Sequence, residues 1–214
     1  MKDCKNNFES VLPEGYVERL HVNAKKTKVA IILNLISLGI CAVVMGIAIL
    51  ALVLGGESLS EVFGVSSYVY SIAFLIFAVV MIVYLVLHEL VHGLAYKLFT
   101  GQKLTFGLTW ACAFCGVPHI YTYRKPALVA VLAPLVVFTL ILIPIMVVLY
   151  SINPLYYLYV ALLFGLHFGG CCGDIYVSYI LAIRFKGKKL LMRDTGPEQF
   201  FYVYEGVDGE NCEK

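Results

Sequence analysis

Long apolar runs separated by short polar segments dominate this chain. Four of them reach the roughly 20 residues that cross a hydrocarbon core about 30 Å thick. They are Val29 to Leu54, about Tyr68 to Tyr96, Pro126 to Tyr150 and about Leu155 to Ile183. Residues 126–173 contain no Lys, Arg, Asp or Glu, and SINP (151–154) is the one polar break there. Proline after a polar residue is a turn signal, so this stretch predicts two antiparallel helices joined by a tight loop. The pattern changes at GQKLTFGLTWACAFCGVPHIYTY (101–123), where glycines punctuate a partly alternating run. Such alternation predicts a β-hairpin-like loop. Its apolar content lets it dip into the membrane, where non-helical backbone is tolerated only against protein or a water-filled cavity. The tail from Lys186 has no strong period, and its DTGPEQFFYVYEG reads as a short strand or a surface segment. The expectation is an all-α integral membrane protein of about four transmembrane helices, with a short hairpin-like loop between the second and third. Its parts are an N-terminal segment (1–28), a membrane domain (29–185) and a tail (186–214).

Composition agrees: 61% of residues are hydrophobic and 14% charged, and the mean hydropathy is +0.87. A soluble domain carries about 25% charged residues. The lipid bilayer is therefore the expected surrounding, and no nucleic-acid partner is expected. Charge placement fixes an orientation. Six of the sixteen Lys and Arg precede the first run, four lie between Lys97 and Lys125, and six follow from Arg184. All sixteen fall on one side of a four-span chain, so the positive-inside rule puts both termini in the cytoplasm of a multi-pass cell-membrane protein. Residues 1–28 are polar and lack an early apolar run with a small-residue cleavage site, so the first apolar run is expected to stay in the mature protein. Seven scattered cysteines do not form the pattern of a secreted disulfide framework.

The second run carries an anomaly, MIVYLVLHELVHGLAYKLF (81–99), with three polar groups in five residues. Ionisable side chains at membrane depth cost several kcal/mol and persist where they have a partner or a task. His88-Glu89-Leu90-Val91-His92 reads H-E-x-x-H. Residues four apart share a helix face, so both imidazoles can bind one zinc ion, and the intervening Glu89 suits a general base. The plainer alternative is a polar contact between helices. A hydrolytic zinc site usually has three protein ligands. Asp174 is the one Asp or Glu of the fourth run. That run is parallel to the second, and Asp174 stands ten residues before Arg184 as His88 stands nine before Lys97. At about 1.5 Å per residue the two share a depth. The alternative is a structural pair between Asp174 and His167. His167, seven residues before Asp174, is too far along one helix to share its ion. It suits a supporting, oxyanion-donating or cavity-lining role, or a core histidine. Cys171 and Cys172 suit packing or an approach to the metal. Cys112-x-x-Cys115 together with Cys171 and Cys172 offers a less well-shaped four-thiolate alternative.

Three stretches, HELVHGLAYKL, KPALVAVLAPLVVF and GGCCGDIYVSYIL, carry a family resemblance. The chain resembles the site-2 protease group of intramembrane zinc metalloproteases. It is more closely similar to the small zincin peptidases of the domain-of-unknown-function 3267 type. The match covers roughly the latter two-thirds of the chain. The resemblance implies His88, His92 and Asp174 as zinc ligands and Glu89 as catalytic acid/base. It also implies that the 101–123 loop, with Gly101, Thr105 and Thr109, presents an edge to an unwound peptide or transmembrane-protein substrate. The chain departs from site-2 proteases around the acid: Cys172-Gly173 precede Asp174 and Ile175 follows it, where those enzymes often have Asn-Pro and Gly.

The resulting expectation is a membrane-embedded zinc metallopeptidase. One alternative is a non-proteolytic zinc-binding scaffold or regulator, which has no need of Glu89. Another is a small transporter with a His/Glu/Asp relay, which would be expected to show the internal repeat that this sequence lacks.

Overall fold

The computed structural model describes residues 7–57, 62, 64, 66–109 and 113–206. Four helical segments are long and apolar enough to cross a membrane: Thr27–Leu54, Ser67–Thr100, Arg124–Tyr150 and Pro154–Arg184. The first three are continuous helices, α1, α2 and α3. The fourth is broken. Helix α4 (Pro154–Gly170) stops at Cys171, α5 (Cys172–Tyr179) follows, and a π-helical turn (Ile180–Arg184) completes it. The SINP turn acts as anticipated: the Asn153 side chain accepts from the Leu155 and Tyr156 amides, and Pro154 opens the helix. Helix α2 ends at Gly101, whose φ of +65° terminates it without a Cβ penalty.

The chain is not all-α. Seven strands are present among the described residues: β1 (Phe8–Glu9), β2 (Tyr16–Asn23), β3 (Thr105–Leu108), β4 (Ala113–Gly116), β5 (Tyr121–Tyr123), β6 (Leu190–Asp194) and β7 (Glu198–Tyr204). Strands β3 and β4 pair antiparallel as the anticipated hairpin, Thr105 opposite Gly116. The other five form an antiparallel sheet in the order β1-β5-β6-β7-β2. Its strands come from the N-terminal segment, from 121–123 and from the tail. In β2 a register shift between Glu18 and Leu20 breaks the alternation that marks a half-buried strand.

The chain divides into two compact units. One comprises Met1–Ala30, Glu89–Ala133 and Asp174–Lys214. Its core gathers Tyr96, Ile120, Ala127, Ala130, Ile180, Leu181, Met192 and Phe201. The sheet belongs to this unit, and the hairpin packs on α2. A Cβ at Gly93 would stand 2.8 Å from Phe106 and 3.2 Å from the Cys115 sulfur. The other unit comprises Ile31–His88 and Pro134–Gly173, with Ala48, Leu52, Tyr157 and Ala161 at its core. There Gly165 and Gly169 let α4 approach α1 closely, since a Cβ at Gly169 would meet Ser37 Oγ at 2.5 Å. Small residues four apart serve helix contacts in this way.

One buried carboxyl ties the sheet to α2. Asp194 ends β6 and accepts from the Tyr96 hydroxyl at 2.6 Å and the Gly196 amide at 2.8 Å. Burial pushes its pKa up to about 6, against the opposing pull of the Tyr96 and Gly196 donors, His92 and Gln199. The folded chain thus holds this proton more tightly than an unfolded chain, whose Asp titrates near the ordinary 3.8. The folded state gains stability as pH falls from about 6 toward about 4, and loses it as pH rises again. The melting temperature of the wild type minus that of Asp194→Asn should therefore decrease as pH rises through this window. A difference constant with pH would contradict the assignment.

Gly196, in the turn between β6 and β7, has φ +98°, and a Cβ there would stand 2.1 Å from the Phe114 ring. Gly187 also has positive φ, +75°, with open space around it. Gly196→Ala should cost roughly 1–3 kcal/mol from backbone strain plus the displacement of Phe114. Gly187→Ala should cost the backbone strain alone. Thermal melts in detergent of the two variants should rank them in that order.

Candidate metal centre

A single row of side chains on α2 builds the site. Tyr84, His88, His92, Tyr96 and Thr100 follow at four-residue steps, and all five are buried. Leu85, Val86, Leu87, Leu90 and Leu94 between them are exposed. Four-residue spacing keeps the row on one helix face.

The two motif histidines are held through Nδ1. His92 Nδ1 lies 2.8 Å from the Ala130 carbonyl oxygen of α3. A carbonyl only accepts, so this nitrogen carries a proton, and Nε2 stands on the other side of the ring. That Nε2 lies 3.5 Å from Asp174 Oδ1. His88 Nδ1 lies 3.1 Å from the Tyr84 hydroxyl, which lies 2.7 Å from His167 Nδ1. His167 is fully buried, with its Nε2 3.4 Å from Thr139 Oγ1 and its Nδ1 3.7 Å from Cys171 Sγ.

Asp174 sits in the first turn of α5. The donor atoms of His88, His92 and Asp174 all lie within 4.8 Å of one another. This donor set fits zinc. Ligands about 2.0–2.2 Å from a tetrahedral ion stand roughly 3.3–3.6 Å apart. The His92–Asp174 separation matches that spacing and exceeds the usual N–H···O length of about 2.7–3.2 Å. A second trio, His88, His167 and Cys171, also has donor atoms within 4.8 Å of one another, and all three residues are buried.

Glu89 is half-buried, beside His88. Its charge reaches the hairpin: burial pushes the Cys115 thiol up to about 12, and the Glu89 and Asp194 carboxylates push it the same way. Cys115 is therefore a neutral thiol at neutral pH. Cys112 lies outside the described residues. Of the three residues anticipated on a substrate edge, Thr105 opens β3, Gly101 caps α2 and Thr109 follows β3.

Sequence reasoning passed over Tyr84, Thr139 and the Ala130 carbonyl. Tyr84 carried a usable signal, because it stands one turn before His88 on the same face. The Ala130 carbonyl carried a subtler one, the proline four residues later.

The family described as "Putative zincin peptidase" matches residues 81–188. That range runs from the motif-bearing part of α2 through α5 and the π-helical turn, and covers about half of the chain. No curated protein matches the chain, and no solved structure does. A family match over half the chain, on the segment that brings His88, His92 and Asp174 together, establishes membership: the chain belongs to this zincin peptidase family.

Proposed function

We propose that this chain is a membrane-embedded zinc peptidase that cuts membrane or membrane-associated polypeptides. The observation that carries the reading is the convergence of His88, His92 and Asp174, with Glu89 beside the first of them. In this reading His88, His92 and Asp174 hold the ion. Zinc, when bound, supplies Lewis acidity that acidifies a water ligand and polarises a peptide carbonyl. Glu89 takes the proton from the attacking water and returns it to the leaving amine, a general acid/base role worth about 10²–10⁴-fold. Its half-buried position suits a group that must meet both water and substrate.

His167 supports His88 through Tyr84. A tyrosine hydroxyl has one proton, so it donates to one imidazole and accepts from the other. With the donation directed to His167, His88 keeps its proton on Nδ1 and offers Nε2 to the ion. Partners of this kind fix ring orientation and raise ligand basicity. Cys171, beside His167, packs that support.

The substrate is bound extended. The β3–β4 hairpin lies against α2 at Gly93, next to His92, and an added strand on its edge is one way to hold an unwound segment. The Lys and Arg distribution supports a cell-membrane protein with both termini in the cytoplasm.

Glu89→Gln separates catalysis from metal holding. Against a panel of co-expressed membrane substrates the variant should keep its bound zinc and lose cleavage by at least about 100-fold. Processing that continues unchanged in this variant would sink the peptidase reading and leave a metal-binding scaffold.

A further inference from the structure

Helix α3 contains two prolines, Pro134 and Pro144. A proline has no amide N–H, so the carbonyl four residues before it loses its helical donor. For Pro134 that carbonyl belongs to Ala130. A carbonyl without a partner at membrane depth is costly, and helix-breaking residues persist in spans where other groups satisfy what they free. The Ala130 oxygen is satisfied by His92 Nδ1 at 2.8 Å. Pro134 itself is fully buried.

We infer that Pro134 is a positioning residue for the metal centre: by withholding an N–H from Ala130, it reserves that carbonyl for His92. The consequence is a fixed ring orientation. With its Nδ1 proton committed to Ala130, His92 turns Nε2 toward Asp174. A residue with an N–H at position 134 would close the ordinary helical bond to Ala130 and compete for the same oxygen. His92 would then lose its orienting acceptor. Loss of such an orienting partner typically costs about 10–100-fold in metal affinity. Pro144 is the internal control. It frees the carbonyl of Leu140, a residue whose side chain is exposed and that has no part in the site.

The inference rests on the proposed metal centre, and the experiment separates the two. Full-length protein in detergent is titrated with cobalt(II), followed by its visible spectrum and by competition with a chelator. Wild type should bind one equivalent and His92→Ala should lose it; wild type that binds none would end the metal reading and this inference with it. Given binding, Pro134→Ala should weaken it by about 10–100-fold, while Pro144→Ala should bind as wild type does. A third protein carries an ester at position 134, made with the α-hydroxy counterpart of alanine. It has neither the ring nor an N–H, so it should recover wild-type affinity and spectrum. The ester protein also provides a test if Pro134→Ala fails to fold. Equal weakening in Pro134→Ala and the ester protein would assign the effect to lost ring packing and overturn the inference. Wild-type affinity in Pro134→Ala would overturn it as well.

Discussion

Hydrocarbon offers a polar group no partner, so an unpaired polar side chain on a membrane helix is costly and is best satisfied by protein or enclosed water. Helix α2 meets this constraint with its one buried row. Tyr84 and His88 are joined to His167, His92 to the Ala130 carbonyl and Tyr96 to Asp194, while Thr100 turns back on the Tyr96 carbonyl. The flanking leucines and valines face outward. Much of the remaining structure reads as a set of partners for this row: α3 supplies a carbonyl, α4 a histidine and β6 a buried acid.

The partners also determine what the histidines can do. Both are engaged at Nδ1 by neutral oxygen groups, a hydroxyl and a carbonyl. The Nε2 of His92 is turned toward Asp174. The break at Cys171 begins a new helix whose first turn carries Asp174. The acid thereby approaches His92, while His167, one turn before the break, reaches Tyr84. Two groups seven residues apart in sequence thus serve different parts of the α2 row.

The spans were legible because about 20 consecutive apolar residues have few other uses, and the H-E-x-x-H motif because its spacing encodes a helix face. The partner acid was legible from depth alone, as Asp174 is the one Asp or Glu in its span. The five-stranded sheet was not. Its strands are drawn from three distant segments, two of them only two or three residues long, and a bulge interrupts the longest. DTGPEQFFYVYEG offered a short strand, but the pairing it enters depends on contacts far apart in sequence. The supporting groups were hidden for a different reason. Tyr84 was marked only by its place one turn before His88, and a backbone carbonyl has no letter of its own. Pro134 marked that carbonyl indirectly, through the bond it cannot make.

The central claim is that two imidazoles and one carboxylate share an ion. X-ray absorption at the zinc edge of full-length protein loaded with one equivalent tests it most directly. Two imidazole nitrogens with oxygen completing the shell are the predicted result. A sulfur neighbour at the zinc would contradict it, because the ion would then reside with Cys171 or another thiol, away from the Asp174 carboxylate.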